Sequence, residues 1–236
     1  PAGVALAAAG THPLARGPGE VTPGERYEEI AREYAYVATH LVPFGQHVHV
    51  SVPGAERALA VFNALRAHLP ELLALSANSP FLGGEDSGLC SVRATLNASY
   101  PRSGIPPALA SWEELARLLA FGRRTNAFPD ATHLWWDARP SVHHGTIEVR
   151  VLDAQTTAED AAALAGVVHA LAHRLATCRD EGRPLPRILP EVAEENRFRA
   201  LRHGLRGTLI DPVTGDVEPT RERVRAVLAD IEESAT

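Results

Sequence analysis

Pro43-Phe44-Gly45-Gln46-His47-Val48-His49-Val50-Ser51-Val52 is the stretch on which the fold turns. After the Pro-Phe-Gly break, polar and apolar residues alternate. Gln46, Val48 and Val50 fall on one parity, and His47, His49 and Ser51 on the other. Period two with β-branched valines predicts a strand. Residues two apart share a strand face, so both imidazoles point one way while Val48, Val50 and Val52 pack on the other. Two histidines on one face can floor a metal or phosphate site. They can equally line a polar barrel interior or a sheet surface.

Composition sets the frame around that strand. The 236 residues are 45% hydrophobic and 22% charged, the balance of a globular protein large enough to bury a real core. A formal charge of −6, with no basic run, argues against a nucleic-acid partner. Cys90 and Cys178 form no metal or redox motif, and so few cysteines make a reducing cytoplasm the default expectation. The apolar opening, residues 1–10, is too short for a membrane span and lacks the basic start of a signal peptide. No methionine occurs, even at position 1, so the chain is expected to be processed or excised from a longer polypeptide.

Working outward, Val4 to Ala9 reads as a buried strand, and Gly10-Thr11-His12-Pro13 as the turn that ends it. Glu25 to His40 has helical spacing through Tyr27, Ile30, Ala31, Tyr34, Val37 and Leu41. Ala55 to Ser76 is a long helix broken or kinked near Pro70. Residues 78–88 are a glycine-rich loop, and Ser91 to Ser99 is ambiguous between helix and irregular structure. Ser111 and Glu114 form a capping box for a helix reaching about Phe121. Leu134 to Pro140 and Gly145 to Asp153 read as antiparallel neighbours joined through Ser141–His144. Thr157 opens an alanine-rich helix to Cys178 that buries Leu164, Val167, Val168 and Leu171. Its stretch from Ala158 to Ala176 would suit an interface between copies of the chain, and a homo-oligomer is expected. A helix through Glu194–Ala200 stops near Gly204. Residues 210–216 turn, and Thr220 to Glu233 is a last amphipathic helix. No repeat or internal boundary appears, so residues 1–236 are expected to form one α+β domain.

Glu148 and Arg150 repeat the geometry of the histidine pair, with Ile147 and Val149 on the opposite face. A glutamate inside a strand is expensive unless paired or bound to a cation. An ion pair with Arg150 or Arg139 is the cheapest explanation. If the hairpin joins the sheet of His47, a second one opens. His47 and Glu148 then hold Mg²⁺ or Mn²⁺, with Arg139 and Arg150 placed for phosphate or carboxylate.

Seven segments in order then carry a resemblance: residues 10–13 (GTHP), 25–27 (ERY), 44–50 (FGQHVHV), 74–80 (ALSANSP), 136–140 (WDARP), 145–150 (GTIEVR) and 196–200 (NRFRA). Together they resemble the type 2 glutamate–cysteine ligases, or carboxylate–amine ligases, from residue 8 to about 216. The resemblance implies an antiparallel, partly closed, funnel-like sheet of the glutamine synthetase kind, with helices packed outside. It implies ATP and divalent metal in the funnel, and glutamate and an amine such as cysteine as substrates. A carboxylate would be phosphorylated and the amine would then displace phosphate. Position by position, His47 resembles the family's metal- or phosphate-facing histidine and Glu148 its metal-binding glutamate. Arg139 and Arg150 resemble its catalytic arginines near phosphate and substrate carboxylate. His49, Arg197 and His12 resemble positions that face the nucleotide or another ligand. Each has a plainer alternative: His49 filling the sheet, Arg139 bracing Asp137, Arg197 packing or pairing with Glu194, and His12 supporting its turn. Trp135 and Trp136 suit core packing better than nucleotide stacking.

The chain also departs from the family pattern. The family's first strand bears Glu-x-Glu and supplies most metal ligands, and nothing of that kind stands in this sequence before Pro1. Either those strands belong to a longer product or partner chain, or the molecule is a non-catalytic remnant or scaffold. A hydrolase using His47, His49 and Glu148 is the remaining alternative.

Overall fold

A computed structural model describes residues 8–40 and 43–233. Most of the strand expected over Val4 to Ala9, and Leu41, lie outside those residues. The chain enters through two short helices, α1 (Glu25–Tyr34) and α2 (Tyr36–His40), which no local pattern separates. The break is Ala35, held at φ 45°, ψ −118°, outside the regions an L-residue normally occupies. The histidine strand, β1 (Val48–Val50), follows, then α3 (Ala55–Leu65) and α4 (Leu69–Ser76). The expected break in the long helix is there. A 3-10 turn over Arg66–His68 separates the halves, and Pro70 sits in the first turn of α4, where its missing N–H removes no helical bond.

Residues 78–88 are not a plain loop. They hold a small hairpin, β2 (Phe81–Leu82) and β3 (Glu85–Asp86), closed by Gly83-Gly84. The ambiguous segment resolves as α5 (Val92–Asn97), capped by the Ser91 hydroxyl accepting from the Ala94 N–H. After β4 (Ser103–Gly104) comes α6 (Trp112–Arg124). Ser111 caps it as expected, while Glu114 reaches back to the Ala110 N–H, one residue beyond the usual capping-box partner. The tryptophan strand divides at Asp137 into β5 (Trp135–Trp136), parallel to β4, and β6 (Ala138–Ser141), antiparallel to β7 (Thr146–Val149). Between β6 and β7 the chain turns through residues 142–145, ending at Gly145 with φ +62°, a conformation glycine adopts without penalty. Then follow α7 (Ala158–Asp180), capped by Thr157, α8 (Pro190–His203), β8 (Thr208–Ile210), β9 (Val217–Pro219) and α9 (Thr220–Glu233). Residues 210–216 do turn, inside a β8–β9 hairpin that was not expected.

The architecture is α+β, with small, mostly antiparallel sheets and helices around them. Its organising sheet has three strands in the order β1-β7-β6, and among the described residues no sheet closes into a barrel. The funnel form expected from the family resemblance is therefore not established by these strands. Register fixes what each face carries. Val48, Val149 and Ala138 lie abreast, as do Val50, Ile147 and Pro140; on the other parity His49, Glu148 and Arg139 form a row. The apolar parity joins the main core, where Val50, Ala138, Ile147 and Val149 pack with Phe62, Leu65 and Val168 from α3 and α7. Helical segments Ala55–Ser76 and Ala158–Asp180 are long and apolar enough to cross a membrane, and both contribute to this core.

The β1–β7 ladder continues past the strand ends with a shift. Val48 opposes Val149, but Gly45 opposes Asp153, so the second strand carries one extra residue. Such a bulge bends the strand and re-aims its side chains. It falls at Arg150–Leu152, directly beside the polar row.

Candidate functional site

Glu148 is the centre of the polar face. It is 3% exposed, and both carboxylate oxygens are taken. Oε2 accepts from Arg139 Nε at 2.7 Å. Oε1 accepts from Arg150 Nη1 at 2.5 Å, lies 3.1 Å from His47 Nδ1 and 3.8 Å from His49 Nε2. Burial alone would raise its pKa. The hydrogen bond from His47 and the charges of Arg150 and Arg139 outweigh burial and hold it well below the ordinary carboxylate range. The group is an anion at neutral pH, surrounded by cationic and imidazole partners.

The two arginines are themselves fixed. Arg139 Nη1 also donates to the Thr132 carbonyl at 2.7 Å, which anchors the guanidinium to the turn before β5. Burial, the nearby Arg139 charge and Arg93 lower the Arg150 pKa, while Glu148 raises it. His47 has its pKa lowered, by burial first, with Arg150 and Arg93 adding to the effect against Glu148. Its imidazole is accordingly neutral. Nδ1 stands 3.1 Å from Glu148 Oε1 and 3.3 Å from Arg150 Nη1; a proton on Nδ1 serves the nearer carboxylate, and Nε2, with no partner among the described residues, then keeps its lone pair. That arrangement, one ring nitrogen on a carboxylate and the other free, is how a metal-ligating histidine is normally oriented. His49 instead holds Thr146 Oγ1 at 2.8 Å through Nδ1 and packs edge-on against His144.

A second layer positions this cluster. Arg93, 3% exposed, donates to the carbonyls of Val151 and Arg150, both at 3.0 Å, and lies 3.5 Å from Asp153. It thus pins the bulge that follows Glu148. A Cβ on Gly45 would overlap the Arg93 guanidinium, so glycine is what lets the chain pass beneath it. Asp153 is fully buried and accepts from the Asn78 N–H, Ser79 and Ser91. Burial nonetheless raises its pKa.

The sequence-derived residues therefore divide. His47, His49, Glu148, Arg139 and Arg150 are brought together. Arg197 is buried elsewhere, donating to Asp137 Oδ2 at 2.6 Å and to the Ala94 carbonyl at 3.0 Å. Its partner is Asp137 rather than Glu194, and Asp137 is braced by Arg197 rather than by Arg139. His12 is exposed, and its Nδ1 accepts from the N–H groups of Leu14 and Ala15, a turn-supporting role. Arg93 and Asp153 were missed. The signal for them was faint: a lone arginine in an ambiguous segment, and an aspartate at the end of an apolar run.

The residues present fit a divalent ion in part. His47 Nε2 is available, but each Glu148 oxygen already faces a guanidinium. Among the described residues, no three His, Cys, Asp or Glu side chains converge to hold a metal ion. Beside the cluster lies a cavity of about 550 Å³, whose wall includes His47, Arg93, Arg150 and Asp137.

The sheet thus sets His47 and Arg150 at the wall of a neighbouring cavity, with Arg93 beside them, an arrangement whose positive charge would suit an anionic group. Comparison with known proteins places it. The sequence profile described as "Glutamate-cysteine ligase family 2 (GCS2)" matches residues 1–236. A protein of Rubrobacter xylanophilus named "Putative glutamate--cysteine ligase 2-1" is 40% identical over 227 residues, covering 96% of this chain and 60% of that protein. A protein of Clavibacter michiganensis with a similar name is 36% identical over 230 residues, 97% of this chain and 60% of its own length. A further Rubrobacter relative is 43% identical over 210 residues, or 89% and 56%. The chain belongs to glutamate-cysteine ligase family 2. It spans about 60% of the length of these relatives.

Proposed function

We propose that this chain is the catalytic-sheet portion of an ATP- and Mg²⁺-dependent ligase that joins glutamate, or a similar carboxylate, to an amine. The observation that carries the reading is the convergence of His47, Arg139 and Arg150 on Glu148 beside a cavity, in a chain of this family. The β1-β7-β6 sheet would then be part of a funnel of the glutamine synthetase kind. In the reaction, a carboxylate oxygen attacks the γ-phosphorus of ATP, and ADP leaves with the bridging electron pair. The amine nitrogen next attacks the acyl carbon and phosphate departs with the C–O pair. Of the two protons lost by the ammonium, one ends on phosphate and the other in water.

Such a reaction needs positioning and charge compensation more than covalent help. Arg150 and Arg139 supply fixed positive charge near the transferred phosphoryl group. His47 Nε2 is the ligand this portion would offer to a metal ion, with Glu148 orienting the ring from Nδ1. The remaining carboxylate ligands are assigned to the two-fifths of the relatives' length that this chain does not cover. Incubating the full-length protein with ATP, Mg²⁺, glutamate and cysteine should release ADP and a γ-glutamyl product. Absence of ADP with every amine offered would overturn the reading.

One observation favours the non-catalytic alternative for the portion taken alone: Glu148 is fully paired and no third ligand is present among the described residues. Calorimetric titration separates the two. Full-length protein should bind ATP only with Mg²⁺, whereas a scaffold should show no metal-dependent nucleotide affinity.

A further inference from the structure

A buried charge without a counter-ion stands on the turn between α3 and α4. Arg66 begins that turn and is 6% exposed. Its hydrogen bond runs from Nε to the Pro106 carbonyl at 2.7 Å, which leaves both terminal nitrogens without an acceptor among the described residues. Burial pushes its pKa down, and no carboxylate stands near enough to offset that. A buried cation is costly to keep unless it is paired. Of the buried arginines among the described residues, Arg93 has Asp153 and Arg197 has Asp137; Arg66 has neither aspartate nor glutamate.

Arg66 lines two adjoining clefts, of about 560 and 350 Å³, which share it with Ala108 and Ile188. Neither has a residue in common with the cavity beside Glu148. Arg187 stands exposed on the larger cleft, with no ion pair among the described residues. Asn63 also lines it, but its amide is spent on Leu109 in both directions. The rest of that wall is apolar, with Leu185, Pro186, Leu189 and Pro212 its larger members. Glu194, in the smaller cleft, is the carboxylate nearest to hand, and it makes no ion pair with Arg66. The start of α8 borders both clefts through Ile188, Leu189 and Pro190. No side chain caps it, so the N–H groups of Glu191 and Val192 have no intrahelical acceptor, and the positive end of the helix dipole adds to the two arginines.

We infer that these clefts bind a small organic anion, its oxyanion group held by Arg66, Arg187 and the start of α8, and its apolar body laid along Leu185, Pro186 and Leu189. A carboxylate and a phosphate monoester share that chemistry. The inference is independent of the ligase reading, and no bond changes at the site. Its test is calorimetric titration of the full-length protein with phenyl phosphate and benzoate, each beside its small counterpart, inorganic phosphate or acetate. At least one aryl anion should bind, severalfold more tightly than its counterpart, and which one does so separates phosphate from carboxylate. Arg66→Met should weaken that binding about tenfold or more, the loss expected for charge-assisted hydrogen bonds. Arg66 also braces Pro106, so two variants that leave that contact intact repeat the measurement. Arg187→Ala removes an exposed charge and Ala60→Phe fills the larger cleft, and each should weaken the aryl anion severalfold. No binding of either aryl anion, or binding no tighter than that of its counterpart, overturns the inference. So does an affinity unchanged in Arg187→Ala and Ala60→Phe, which would place the anion elsewhere on the protein.

Discussion

Glu148 shows how much a single buried side chain organises. Two arginines and a histidine converge on its oxygens, so removing the charge strands cations in a partly buried site. Breaking a buried pair in this way costs about 3 kcal/mol or more. Glu148→Gln should therefore lower stability by roughly 3 kcal/mol in denaturant unfolding. A change within a few tenths would show that the cluster is not formed. The pH dependence has a definite sign. The Glu148 pKa is depressed in the folded state, so its contribution is fully present above the ordinary value of 4.5 and is lost as pH falls below it. Acid unfolding should be shallower in Glu148→Gln than in the parent. At this scale the alternation in residues 46–52 and 145–150 was enough to pair His47 with His49 and Glu148 with Arg150, each pair on one face of its own strand, because strand parity is local; that the two faces are the same one came from the pairing of the strands. Arg197 was not legible in the same way. Its partner Asp137 is 60 residues away, and spacing along a helix points only to near neighbours such as Glu194.

Elements were legible where one period ran long enough. The antiparallel pairing of β6 with β7 stands as read although both strands are shorter than expected, and α6 with its Ser111 cap and α7 with its Thr157 cap stand as read, each a few residues longer. The two small hairpins were not, since strands of two or three residues carry too little alternation to separate from a loop. The α1–α2 break was hidden for another reason: its residue is alanine, the best helix former. Holding Ala35 at φ 45° strains the backbone by about 1 kcal/mol or more, so Ala35→Gly should raise the melting temperature. A lower one would mean that helix runs through. Further along, α9 is tied to α4 by Arg223, which pairs with buried Glu71 at 3.0 Å, Asp211 at 2.7 Å and Glu218 at 3.2 Å. Asp211 is held at about 2 by the N–H of Thr214 first, and by Arg223 and the N–H of Val213. Arg223→Met leaves the Glu71 carboxylate buried without its cation and should cost about 3 kcal/mol by thermal or denaturant unfolding. A loss under 1 kcal/mol would mean that the α9 packing stands without the pair.

For the whole molecule, the α+β class followed from pattern, and family membership followed from seven ordered segments rather than from any one of them; the meeting of β1 with β7 stood in the sequence only as a condition, which the structure meets. The cavity did not. Its walls come from α1, α5, β5 and the bulge after β7, and only folding brings those together. Nor does the sheet alone complete a metal site, which fits a chain covering about 60% of its relatives' length. The proposed chemistry leaves a trace that no binding study can mimic: a carboxylate oxygen of the donor ends on phosphate. Full-length protein should therefore be given ATP, Mg²⁺, an amine and glutamate labelled with oxygen-18 in its γ-carboxylate, and the released phosphate weighed by mass spectrometry. One labelled oxygen per phosphate is the expected result; ADP release with unlabelled phosphate would contradict the acyl-phosphate route and, with it, the ligase assignment.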